Sequence, residues 1–246
     1  MKYKINWSGL ADQNYWDYIA KHCVPSWVQL PGNKSIVSES KTISVPGVDI
    51  INWHDVADMN SNFLKLSQKT KQINFWKKMQ CQVWALRNLL DCDVLILLDT
   101  DIEVIDLNQE KLEATIDSFL ESGLVWATGE SQLRKLDAGH IFINTKHPDV
   151  KLLTDTYEDY WNSGKIFTLA KAYDGHVVED MFKQFESFKI KNRDYGSGLH
   201  VYEIGTVHWG SKEPKLLRAT WSGDGKSLVD KRLSEITIKK YKNDTI

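Results

Sequence analysis

Between Gln72 and Leu90 the apolar residues Ile73, Trp76, Met79, Val83, Leu86 and Leu90 recur at intervals of three and four or their multiples, which is the period of one helix face. Lys77 and Lys78 fall away from that stripe. The run that follows, Val94-Leu95-Ile96-Leu97-Leu98, is apolar at every position. A half-exposed strand would alternate, so this one is expected at the centre of a sheet, covered on both faces. It stops at Asp99-Thr100-Asp101, and a second short apolar stretch, Ile102 to Ile105, comes next.

Similar patterns run through the rest of the chain. A helix is expected from Asn14 to Lys21, and strands at Ser35 to Glu39 and Val48 to Trp53, with Pro31-Gly32 and Pro46-Gly47 marking turns. A helix over Gln109 to Glu121 takes Asn108 as its N-cap. Strands follow at Leu124 to Thr128 and His140 to Asn144, and Pro148 opens a helix to about Asn162 that Gly164 closes. A short helix over Val177 to Phe188 and a strand over Val201 to His208 complete the pattern. Strands alternating with helices predict an α/β domain with a mainly parallel central sheet flanked by helices. One domain over residues 1–225 with a basic tail over 226–246 is the expected organisation; the tail carries Lys239, Lys240 and Lys242.

Composition narrows the function classes. The chain has 246 residues, with 31 Lys and Arg against 33 Asp and Glu and a net charge of −2. A polyanion-binding surface needs a concentrated basic field, so nucleic acid is not an expected partner. With 42% hydrophobic and 26% charged residues the chain can bury a core and is not of the disordered class. No apolar run reaches the roughly 18 to 20 residues of a membrane span, and Met1 to Leu10 lacks a signal-peptide core. A cytoplasmic location is expected, with a weak contact of the basic tail with anionic membrane as a secondary expectation. Cys23, Cys81 and Cys92 are too scattered for a disulfide framework or a zinc site and read as buried thiols. Most of the ten Trp are expected in the core, although such rings also stack on sugars.

Asp99 and Asp101 are the chemistry-bearing pair. Two residues apart in a strand, they would point to one side at roughly 6 to 7 Å. At the carboxyl end of a buried strand, where open α/β sheets collect ligands, they suit one hard divalent cation, magnesium or manganese. The bland alternative is that both cap turns.

Three blocks resemble a known family. Phe75-Trp76-Lys77-Lys78, Trp84-Ala85-Leu86 and Val94 to Ile102 resemble the donor half of GT-A-fold glycosyltransferases with their DxD motif. Asp137-Ala138-Gly139-His140-Ile141-Phe142-Ile143-Asn144 is similar to a segment of the glycogenin-like and galactosyltransferase-like members. His208-Trp209-Gly210-Ser211-Lys212-Glu213-Pro214 is similar to their late His, Gly, Lys-Pro motif, although Gly210 stands one residue closer to the His than is usual there.

The resemblance implies a GT-A single domain and a hexosyl- or pentosyltransferase that uses a nucleotide-sugar, with UDP the expected nucleotide, and a carbohydrate or glycoconjugate acceptor. It implies Asp99, Asp101 and His208 as ligands of Mn2+ or Mg2+. It implies Thr100, Lys77, Lys78, Asp137, Gly139, Gly210 and Lys212 at the donor, and Trp209, Asp174 and His176 at the acceptor, with Trp161 a further stacking candidate. Asp180 or Glu179 would be the general base, or an acidic first helical turn matched to the helix dipole. The glycogenin-like blocks imply retention of configuration, whereas Glu179-Asp180 implies inversion. Two other readings are a lectin-like sugar-binding protein without catalysis and a DxD phosphohydrolase. The second is weaker, because its motif normally lies near the N-terminus.

Overall fold

The computed structural model describes residues 1–40, 42–66, 70–131, 134–169, 174–184 and 204–208. In chain order these form β1 (Ile5–Ala11), α1 (Gln13–Tyr15), a π-turn (Trp16–Ala20), α2 (Lys21–Cys23), a 3-10 segment (Val24–Gln29), β2 (Asn33–Ser38), β3 (Asp49–Asn52), α3 (Asn62–Leu66) and α4 (Thr70–Asn88). They continue with β4 (Val94–Leu98), β5 (Ile102–Val104), α5 (Gln109–Glu121), β6 (Trp126–Ser131), β7 (Arg134–Asn144), α6 (Val150–Asn162), α7 (Asp174–Gln184) and β8 (Thr206–His208).

Six strands form one sheet in the order β3-β2-β1-β4-β7-β6, and β5 and β8 form a separate pair. β1, β2, β3 and β4 run parallel. β7 is antiparallel to both of its neighbours. Only two residues separate β6 from β7, and so short a link can join strands only antiparallel. The α/β class and the mainly parallel, helix-flanked sheet are as expected, with β7 as the one reversed strand of this sheet among the described residues.

β4 is buried at all five positions, and its alternation feeds two cores. Leu95 and Leu97 join Trp76, Met79, Tyr157, Trp161 and Val177 under α4, α6 and α7. Val94, Ile96 and Leu98 join Trp7, Trp27, Ile116 and Phe119 on the other side. All three cysteines are buried. Trp7, Trp27, Trp53, Trp76, Trp126 and Trp161 are buried as well, as expected of most of the tryptophans. Trp161 is fully enclosed, edge-on to Phe63 at 5.4 Å, and this corrects its candidacy as a sugar platform. No helix among the described residues is long and apolar enough to cross a membrane.

β1 is not among the strands that the hydropathy pattern predicts, yet it lies between β2 and β4 at the centre. Its sequence, Ile5-Asn6-Trp7-Ser8-Gly9-Leu10-Ala11, mixes polar and apolar residues because its polar groups bond inside the protein. Asn6 Nδ2 donates to Leu89 O at 2.8 Å, and Asn33 Nδ2 donates to Asn6 Oδ1 at 3.2 Å. Gly9 is required by space: a Cβ there would lie 2.7 Å from Leu98 O and 2.9 Å from the Trp27 ring.

Candidate active site

The strand order reverses between β1 and β4, since β2 and β3 extend the sheet on one side and β4 begins the other. A crevice at the carboxyl ends of strands at such a switch point is the usual ligand site of an open α/β sheet. Asp99, Thr100 and Asp101 occupy that position at the end of β4. The Ile102 N–H donates to Asp99 O at 3.0 Å and closes a turn, while the Asp99 N–H donates to Gly139 O at 2.9 Å. Thr100 is buried, and its Oγ1 donates to Leu10 O at 2.7 Å. That bond fastens the turn to the end of β1, so the Thr100 hydroxyl, expected at the donor, is engaged with backbone.

The two aspartates meet different surroundings. Asp99 is partly open, with 24% of its side chain exposed, and its Oδ1 lies 2.6 Å from Lys78 Nζ of α4. The same ammonium lies 2.7 Å from Asp174 Oδ2 at the start of α7. Burial opposes the Lys78 charge, but the carboxylates of Asp174 and Asp99 outweigh it and hold the ammonium well above its ordinary pKa. Asp174 Oδ1 also accepts from the Gly175 N–H at 2.8 Å. Asp101 is 2% exposed, and its carboxylate lies near enough to the Tyr15 phenol to raise the pKa of that phenol. Burial raises the Tyr15 pKa, and the charges of Asp101 and Asp99 raise it further, so the phenol stays protonated.

Other expected site residues lie around this cluster. Lys77, one residue from Lys78, pairs instead with Glu39 and lies 5.9 Å from the Trp53 ring centroid. On α7, His176 Nδ1 is 3.2 Å from Glu179 Oε2, and Asp180 accepts a hydrogen bond from Tyr160 Oη of α6. Asp180 is six positions after Asp174, which sets the two acids about 120° apart around a helix, on different faces. The Asp137 backbone lies in β7 opposite Gly129. β8 pairs antiparallel with β5, and His208 is the register partner of Ile102, the residue after Asp101. Trp209, Gly210, Lys212 and the 226–246 tail lie outside the described residues.

Among the described residues no three His, Cys, Asp or Glu side chains gather closely enough to hold a metal. The donor set nevertheless suits a hard cation. Two carboxylates share one turn, and a cation already lies against Asp99 in the form of the Lys78 ammonium. The register brings His208 to the same turn.

Tyr15, Gly9 and Trp27 are neighbours of the site that the motifs do not point to. Trp27 Nε1 donates to Ile102 O at 2.9 Å and so fixes the far side of the turn. A glycine within a strand marks a close backbone approach, and that signal is present at Gly9. Nothing local marks Tyr15, whose partner Asp101 is 86 residues away in the chain.

No family model and no curated protein matches the chain. Solved structures do. An active-site mutant of LgtC is 13% identical over 94% of this chain and 95% of its own, with a TM-score of 0.49. The galactosyltransferase LgtC in complex with donor and acceptor sugar analogues is also 13% identical, over 94% of each chain, with a TM-score of 0.46. Mouse xyloside xylosyltransferase 1 in its apo form is 12% identical over 71% of this chain and 78% of its own, with a TM-score of 0.39.

Proposed function

We propose that the chain is a metal-dependent glycosyltransferase that moves a sugar from a nucleotide-sugar, with UDP as the expected nucleotide, to a hydroxyl of a carbohydrate or glycoconjugate acceptor. The observation that carries this reading is the pair Asp99 and Asp101 on one turn at the sheet's switch point, with Lys78 between Asp99 and Asp174. A nucleoside diphosphate brings negative charge to this crevice, and two carboxylates alone would repel it. Asp99, Asp101 and His208 would hold Mn2+ or Mg2+, which would reverse the local sign and supply Lewis-acid stabilisation of the departing diphosphate.

The chain's own residues have separable parts in this reading. Asp101, enclosed beside Tyr15, is a fixed ligand. Asp99 is a ligand able to exchange partners. Lys78 is a point charge within reach of phosphate or sugar oxygens, and Asp174 beside it is an acceptor for sugar hydroxyls. Thr100 and Gly139 hold the turn through the bonds to Leu10 and Asp99. The carboxylates of Glu179 and Asp180 remain the candidates for general base, with His176 and Tyr160 orienting them. Asp137, Lys77, Gly210, Lys212 and Trp209 belong to this reading through the sequence resemblance. The cytoplasmic location and the membrane contact of the tail belong to it through the hydropathy pattern and the lysines of the tail.

Thermal unfolding in the presence of UDP tests the proposal. UDP should raise Tm only when Mn2+ or Mg2+ is present, because a ligand that binds the folded state stabilises it by mass action. Stabilisation by free oligosaccharides with no response to UDP and Mn2+ would replace the transferase reading with a lectin-like one.

A further inference from the structure

His140 takes no part in the roles above, yet it is fully buried on the sheet at the active edge. It is the register partner of Leu98, the last residue of β4, and it follows Gly139, whose carbonyl receives the Asp99 N–H. Its Nε2 lies 3.2 Å from Oγ1 of Thr206. Thr206 is fully buried as well and is the first residue of β8. β8 is three residues long and pairs only with the equally short β5 among the described residues. Two such strands have little stability of their own. Backbone bonds from Ile105 to Gly205 O at 2.9 Å and from Asn108 to Ile204 O at 3.1 Å hold the approach to β8. Between the main sheet and β8 itself, the His140–Thr206 bond is a direct tie. A buried imidazole on an apolar face is costly unless it is hydrogen-bonded, and here the bond joins two sheets.

We infer that His140 is a positioning residue for the metal-binding turn: through Thr206 it fixes β8 against the main sheet and so sets the register of His208 against Ile102, the residue after Asp101. The inference rests on the metal-dependent reading above and concerns His140 and Thr206, to which that reading gives no role.

The test uses the full chain and two readouts, amide hydrogen exchange in β5 and β8 without metal, and Mn2+ affinity from the free-ion electron paramagnetic resonance signal. Thr206→Val removes the hydroxyl and keeps the side-chain shape. It should speed exchange in β5 and β8 about tenfold while β4 and β7 keep their protection, and weaken Mn2+ binding about tenfold, the lower end of what outer-shell partners contribute. Thr206→Ser and His140→Gln, which retain hydrogen-bonding groups at the tie, should stay within about threefold of wild type in both, a difference of under about 1 kcal/mol. Unchanged protection of β8 in Thr206→Val would overturn the tie, and loosened strands with unaltered Mn2+ affinity would overturn the positioning role. Absence of Mn2+ binding by the wild-type chain would remove the metal reading and this inference with it.

Discussion

The turn at the end of β4 has two sides with different chemistry. On the side of α4 and α7, Asp99 is partly open and faces an ammonium that it shares with Asp174. On the side of α1, Asp101 is enclosed and faces a phenol. An ammonium offsets a carboxylate's charge, whereas a neutral phenol does not. Asp99 can therefore exchange one cation for another at modest cost, while Asp101 is held in place beforehand. For a cation-dependent site this division is useful: one ligand is preorganised, and the charge of the other is offset until the ion arrives.

Asp101→Asn gives the largest expected effect. It keeps the shape and removes the fixed charge, so sugar transfer from a UDP-sugar in Mn2+ should fall about 10³-fold in kcat/KM. Tm without metal should hold or rise, because a buried charge has been removed. Activity within about tenfold of wild type, a barrier change of only about 1.4 kcal/mol, would show that Asp101 is a structural acid and that the two sides do not cooperate.

Lys78→Met probes the opposite side. It leaves two carboxylates, Asp99 and the 10% exposed Asp174, without their shared cation, and removing one partner from such a cluster should cost about 3 kcal/mol in urea unfolding. Mn2+ should restore more stability to this variant than it adds to wild type, since the ion then takes the charge that Lys78 supplied. Equal losses with and without Mn2+ would mean that lysine and metal do not share Asp99.

How far each element can be read from the sequence depends on where its partners lie. β4 is legible because neither a helix face nor a half-exposed strand is apolar at five consecutive positions. α5 is legible to its bounds because Leu112, Ile116 and Phe119 fall on one buried face and Asn108 Oδ1 accepts from the Lys111 N–H at 3.0 Å. β1 is hidden, since Asn6 finds its partners at Leu89 and Asn33, and no local pattern reports bonds across such separations. The site divides in the same way. Asp99, Asp101, Lys78 and Asp174 are each nameable from motif and position. The grouping of Asp99 and Asp174 through the Lys78 ammonium, 96 residues from Asp174, is a property of the fold alone.

Tyr15→Phe sharpens the Asp101 side through pH. Burial, then Asp101 and Asp99, hold the Tyr15 pKa above its ordinary value. The folded state therefore retains a proton that the unfolded chain releases from about pH 10. Stability from this group is complete below that pH and is lost as pH rises toward the folded value, at up to about 1.4 kcal/mol per pH unit. Unfolding free energies measured between about pH 8 and pH 11, a window that brackets the unfolded phenol, should fall less steeply in Tyr15→Phe than in wild type. An unchanged slope would mean that the phenol does not face the carboxylates.

The smallest effect belongs to Lys77→Met, and it gives the comparison its control. Lys77 is next to Lys78 on α4 but pairs with Glu39, and both side chains of that pair keep a fifth to a quarter of their surface in water. With one partly solvated carboxylate as partner where Lys78 has two, the loss should be under about 1 kcal/mol. The Mn2+-dependent gain in Tm should equal that of wild type, because Glu39 is not part of the turn. If Lys77→Met instead matched Lys78→Met in both respects, the response would reflect general loss of positive charge on α4. The distinction between the two sides of the turn would then have no support from Lys78.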